Sequence, residues 1–241
     1  MISTFGKAFK TPDLRKKILF TLGIMALFRF GSVIPTPGAS YKNVQSCIDL
    51  AQNNGLFALV NMFSGGALLH LSVFALGIMP YITSSIIVQL LTVVIPRFEM
   101  LKQEGQSGTA KLTQYTRYLT IGLGILQSTG LIAVARIPRR LFTNCPYDII
   151  PAASWTRIVT MVFVMTAGTA VIMWLGELIT DRGIGNGMSI LIFTSIAAGF
   201  PGQLWSIQVQ NGFATFAFIL AVGVLIVAAV VFVENAQRRI P

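Results

Sequence analysis

Six apolar runs constrain this chain more than any other feature: Ile18 to Ile34, Leu71 to Ile95, Tyr118 to Ala135, Trp155 to Leu175, Ile184 to Phe200 and Phe213 to Val233. A hydrocarbon core of about 30 Å takes roughly 20 helical residues to cross, so runs of this length predict membrane spans. With 54% hydrophobic and 11% charged residues, a soluble fold has no way to hide the apolar surface. The runs lack a period of two and exceed the roughly 10 residues of a barrel strand. Helices satisfy their own backbone polar groups in lipid, so the predicted class is an all-α polytopic membrane protein.

Six spans place both termini on one side, and the basic residues choose which. With the N-terminus cytosolic, Lys7, Lys10, Arg15, Lys16, Lys17, Arg97, Lys102, Lys111, Arg117, Arg182, Arg238 and Arg239 lie inside, whereas Lys42, Arg136, Arg139, Arg140 and Arg157 lie outside. The positive-inside rule therefore favours this orientation by twelve to five. The net charge of +10 is accounted for by these short loops rather than by nucleic-acid binding. No small-x-small cleavage site follows the first run before Pro35 and Pro37, so it is expected to stay as a helix. Cys47 and Cys145 both fall in external loops, where a disulfide persists, but sequence sets neither their distance nor their pairing.

Catalytic chemistry finds few candidates. His70 is the sole histidine, which leaves no HExxH helix. A GxSG pattern at Gly105 to Gly108, as in intramembrane serine proteases, lies in a cytosolic loop across the membrane from His70 and reads as a flexible turn. The GIGNG run at 183 to 187 follows a helix, has no Walker lysine and reads as a loose entry into the fifth span. All eight acids lie in loops or at span ends. Arg29 is the one charge within a span, near the outer end of the first, and is expected to snorkel to the interface. No catalytic residue, metal site or cofactor is predicted.

The stretch LVNMFSGGALLHLSVFALGIMP, residues 59 to 80, starts into the bilayer and stops. Asn53 or Asn54 can cap a helix whose Leu56, Phe57, Val60 and Phe63 share one face over about two and a half turns. Gly65 and Gly66 then end it. Broken backbone at membrane depth is tolerated only when buried in protein or lining a water-filled cavity, which predicts a short helix inside a funnel. An amphipathic helix lying on the outer leaflet is the competing reading. Gly122, Gly124, Gly130, Gly168 and Gly176 are expected where helices approach closely.

The segments NMFSGGAL (61 to 68), FALGIMPYI (74 to 82), VQLLTVV (88 to 94), EGQSGTAKLTQYTRY (104 to 118), MWLGELITDRGIGNGMSILIF (173 to 193) and VVFVENAQRRIP (230 to 241) resemble the SecY family, channel subunits of the bacterial protein translocon. The resemblance implies a SecY-like inverted-repeat helical channel, of which this chain supplies the first half plus the sixth helix. Residues 1 to 17 are then a cytosolic N-terminal segment and 18 to 200 the first five-helix half with a plug at 55 to 66. Residues 201 to 241 hold an external loop, the sixth helix and the start of a cytosolic loop. Residues 136 to 157 match no family motif, and the family's last four helices are missing.

By the same resemblance Leu56, Phe57, Val60, Asn61, Met62 and Phe63 form the plug, and Ser64, Gly65 and Gly66 its hinge. Ile78, Ile82, Met188 and Ile192 form an apolar pore ring, although isoleucine is the family's commoner residue at the methionine position. Thr83 and Ile86 edge a lateral gate, and Gln127 is a gate residue or else makes an interhelical hydrogen bond. Arg238 and Arg239 begin the cytosolic loop that meets partners. Those implied are the SecE and SecG subunits, the SecA ATPase, the ribosome with its RNA, signal sequences and translocating polypeptides, and membrane lipid. The implied function is secretion across, and insertion into, the bacterial plasma membrane. The alternative is a solute transporter with a discontinuous helix, which would place a polar site at the midplane.

Overall fold

A computed structural model describes residues 12–50, 64–137, 149–150 and 154–235. The chain divides into two compact units, Met1–Ala197 and Ala198–Pro241. Its helices, in chain order, are α1 Pro12–Val33, α2 Tyr41–Leu50, α3 Met79–Val94, α4 Pro96–Gln103, α5 Gln106–Ala135, α6 Trp155–Arg182 and α7 Gly187–Asn235. Four helical segments among the described residues are long and apolar enough to cross a membrane: Gln106–Ala135, Trp155–Arg182, Gly187–Val209 and Gly212–Glu234. A bent pair, α3 with α4, makes a fifth. The first expected span lies within α1, where Lys16, Lys17 and Arg29 dilute the apolar run.

Each boundary has a local cause. Pro12 opens α1 where its missing N–H costs nothing, and Asp13 sits in the first turn, favourable to the helix dipole. Pro96 pushes Ile95 into the extended region (φ −104°, ψ 114°), so α3 ends there and α4 departs at 100°. Gly105, at φ 74°, turns the chain into α5. The predicted loop at Gly105 to Gly108 is thus a helix start: Gln106, Ser107 and Gly108 are helical. A methyl group on Gly108 would lie 1.6 Å from the Leu101 carbonyl oxygen, so α4 and α5 meet there backbone to backbone.

Residues 183 to 187 are not the loose entry expected from three glycines. The Gly183 amide donates to Ile179 O at 2.7 Å and closes α6. The Gly187 amide donates to Thr180 Oγ1 at 2.9 Å, and Asn186 Oδ1 accepts from the amides of Met188 (3.0 Å) and Ser189 (3.4 Å), capping α7. The Ile184 amide reaches Thr21 Oγ1 on α1. These bonds satisfy a carbonyl at the end of α6 and amides at the start of α7 that would otherwise be orphaned.

Residues 64 to 78 depart furthest from the expected second span. Regular helix begins only at Met79, and the preceding residues form a string of turns. Gly65, Gly66, Leu71 and Gly77 all have φ between 45° and 91°. This backbone is satisfied by the segment after α1: the Val73 amide donates to Ile34 O at 2.9 Å and the Thr36 amide to Leu71 O at 3.0 Å, flanking an antiparallel bridge between Pro35 and Ser72. Ala67, Leu71, Ser72 and Ala75 are fully buried. Non-helical backbone here is enclosed by protein, as lipid requires.

Two apolar clusters hold the first unit together. One joins Val44 and Cys47 of α2 to Leu71, Ala75 and Leu76, to Ile132 and Ala135 at the end of α5, and to Met161 and Met165 of α6. The other gathers Ile24, Phe28, Phe74, Ile78, Ile172, Leu175, Ile179 and Leu191. Phe28 and Phe74 stack at 5.9 Å, and Gly31 leaves room for the Phe74 ring. Cys47 is disulfide-bonded; the sequence holds one other cysteine, Cys145, outside the described residues. In the second unit, Gly212 (φ 80°, ψ 169°) breaks the helix, and the 212–234 run buries none of its side chains, as suits a lipid or protein environment outside this chain.

Candidate functional site

Helix geometry in the first unit brings the predicted ring residues to one place. The Tyr81 and Ile82 amides donate to Ile78 O (3.1 and 3.2 Å), so Ile78 caps α3 with Ile82 one turn on. Met188 and Ile192 stand one turn apart at the start of α7. Ile82, Met188 and Ile192 line a cavity of about 510 Å³ together with Ile86, Tyr81, Ser85 and Ser189. Ile78 is 2% exposed and lies in the packed cluster against which the other three rest. The four are therefore contiguous, but only three of them face the cavity.

Gly176 shapes this wall. A methyl group there would lie 2.4 Å from Met188 Sδ, so the unbranched side chain leans over the bare α6 backbone. The cavity changes character at its other lining residues, Thr113, Arg117, Glu177, Thr180, Asp181 and Asn186. Arg117 on α5 and Glu177 on α6 pair bidentately: Nε donates to Oε1 at 2.9 Å and Nη2 to Oε2 at 2.8 Å. Sequence reading missed this pair because its members lie sixty residues apart in the chain. The cavity thus joins an apolar wall to a polar end where Arg117 and Glu177 pair with each other and the Asp181 carboxylate stands beside them.

Of the predicted gate residues, Ile86 is half exposed and lines the cavity, and the Thr83 hydroxyl is engaged by Met79 O at 3.0 Å. Gln127 is half-buried on α5 and does not line the cavity. Its neighbours Gly124 and Ser128 make the α5 contact with α6: Gly124 lies against Thr166 and Thr169, and Ser128 Oγ is 3.5 Å from Thr166 Oγ1. Gly168 and Gly176 are also close approaches, as expected, whereas Gly122 and Gly130 face open space.

The residues expected to form the hinge are among the described residues, and those expected to form the plug are not. Leu56, Phe57, Val60, Asn61, Met62 and Phe63 lie outside the described residues, as do Arg238 and Arg239. Ser64 Oγ accepts from the Leu68 amide at 2.9 Å. Arg29 Nη1 donates to the Gly65 carbonyl, which corrects the expectation that Arg29 snorkels to the interface.

A SecY family model matches residues 72–241. This chain belongs to the SecY family. Protein translocase subunit SecY of Streptomyces scabiei is 65% identical over the whole of this chain, and that of Mycobacterium bovis is 54% identical. SecY proteins of this kind are longer: the chain spans 56% and 55% of those two relatives. Among solved structures, Sec61 in the canine ribosome-channel complex from the endoplasmic reticulum is similar with a TM-score of 0.60 at 15% identity, over 93% of this chain and 49% of that one. A structure described as that of a protein conducting channel matches equally, at 0.60 and 15%. The SecY-like fold of this multi-pass membrane protein is thus supported by sequence and by structure.

Proposed function

We propose that the chain is part of a channel that conducts polypeptides across, and into, the bacterial plasma membrane. The observation that carries this reading is the apolar wall of Ile82, Met188 and Ile192 on one cavity, directly beside backbone that breaks before Met79. A conduit for chains of any sequence needs a narrow apolar constriction that excludes water and ions, not a polar binding site. Ile78 serves this ring from behind, as packing under Ile82. Residues 55 to 63 act as the plug and Ser64, Gly65 and Gly66 as its hinge. Ile86 and Thr83 edge the lateral gate for signal sequences, with Gln127 on the facing helix.

In this reading the N-terminus is cytosolic, by the twelve-to-five excess of basic residues. The chain itself is a conduit without catalysis, and energy comes from SecA or a translating ribosome, engaged through the loop that Arg238 and Arg239 begin. SecE and SecG complete the channel. The test is conductance of the full-length channel in planar bilayers. Ile82→Ser or Ile192→Ser should raise resting ion leak, because one hydroxyl wets a dewetted constriction. Unchanged conductance in channels shown to insert normally would refute the ring.

A further inference from the structure

We propose that the C-terminal end of α6 holds the headgroup of an aminophospholipid, with the phosphate on Arg117, the ammonium on Asp181 and the glycerol end against Trp174 and Leu178. A second cavity, of about 370 Å³, shares Arg117, Glu177 and Asp181 with the first but is otherwise lined by Met173, Trp174 and Leu178. Its size is within the range of small-molecule sites. One side of it is apolar and the other charged, and α6 itself shows where the membrane surface falls between them.

α6 is one continuous helix from Trp155 to Arg182. Its two tryptophans, Trp155 and Trp174, are 77% and 57% exposed. Nineteen residues separate them, about 28 Å of helix, which matches the roughly 30 Å of a hydrocarbon core. Exposed tryptophans at that spacing mark the two membrane interfaces. Glu177 and Asp181 then lie about 4.5 Å and 10 Å beyond Trp174, so the charged side of the cavity is at headgroup depth. Val171, on the opposite side of Trp174, is exposed and points the way to the acyl chains.

The charges select the headgroup. A guanidinium has five N–H donors. In Arg117, Nε and Nη2 each give one to Glu177, and Nη1 gives one to Gln114 Oε1 at 3.3 Å, which leaves one on each Nη. Asp181 is exposed, and among the described residues no ion pair holds it. Arg182, next in the chain, lines neither cavity. One cation and two carboxylates give the site a net charge of −1, which disfavours a purely anionic headgroup. A purely cationic group would leave the remaining Arg117 donors unused. A headgroup that carries a phosphate and a primary ammonium makes charge-assisted hydrogen bonds to both Arg117 and Asp181.

The test uses the full-length channel in lipid nanodiscs and reads quenching of Trp174 by lipids brominated on their acyl chains, with the Trp174→Phe protein subtracted. Phosphatidylethanolamine, its N-methyl and N,N-dimethyl forms, phosphatidylcholine and phosphatidylglycerol, all with the same chains, each compete against unbrominated phosphatidylcholine. Relative binding should be greatest for phosphatidylethanolamine and fall as each N–H is replaced by methyl, by about two- to fivefold across the series, the worth of a solvent-screened ion pair. Asp181→Asn should flatten the series. Equal quenching across the series in the unaltered protein overturns the proposal, as does stronger quenching by phosphatidylglycerol than by phosphatidylethanolamine. Absence of quenching by every lipid overturns it too, because a protein then covers this face. A series that survives Asp181→Asn overturns the assignment to Asp181, and if that variant fails to insert, the lipid series on the unaltered protein decides by itself.

Discussion

Gly168→Ala should loosen the grip of α6 on the broken stretch before α3. A methyl group on Gly168 would lie 2.1 Å from the Val73 carbonyl oxygen, 2.9 Å from its carbon and 3.0 Å from Val73 Cγ1. Non-bonded heavy atoms sit at about 3.5 Å, so the two backbones must separate by roughly 1 Å. Val73 cannot yield cheaply, because its amide is tied to Ile34 O. Nor can α6, whose Met165, Thr169 and Ile172 are buried on either side of Gly168. Overpacking of this kind costs about 1–3 kcal/mol. At roughly 2–4 °C per kcal/mol for a chain of this length, the melting temperature should fall by about 2–12 °C. Tryptophan fluorescence during thermal unfolding in detergent micelles reads it. Gly122→Ala is the control, since nothing lies within 4 Å there and alanine favours the helix by up to about 1 kcal/mol. Gly168→Ala melting at or above the Gly122→Ala protein would refute the close-approach argument.

Glu177→Leu should destabilise by about 1–2 kcal/mol, discounted from a buried pair because Arg117 keeps 42% of its side chain in solvent, and a double-mutant cycle with Arg117→Leu should return a positive coupling. Coupling indistinguishable from zero would reduce the pair to a surface contact. Thiol alkylation of the denatured, unreduced protein should label neither cysteine, since Cys47 is disulfide-bonded and only two cysteines exist; labelling at Cys47 would contradict the bond.

The class of protein was legible in the sequence because lipid imposes a length rule: apolar runs of about 20 residues declare themselves without any knowledge of neighbours. The break at Ser64 to Gly66 was legible for a similar reason, since paired glycines and polar residues cannot continue a span. Local pattern could not say how far the break extends. Residues 71 to 78 are apolar enough for helix, and only the bridge from Val73 to Ile34 and the burial of Leu71 and Ala75 make turns the better state there. The same limit hid the order of the Gly183 to Gly187 turn, whose partners Thr21 and Thr180 are on other helices. Arg29 shows the limit most sharply. A charge in a span has an electrostatic need that sequence reveals, but whether water or a distant carbonyl meets it depends on which backbone the fold leaves unbonded nearby. The proposed apolar ring divides the same way: its four residues came from the family resemblance and not from composition or spacing, whereas the withdrawal of Ile78 into the core and the lean of Met188 over Gly176 follow from side chains sharing space that no single segment contains.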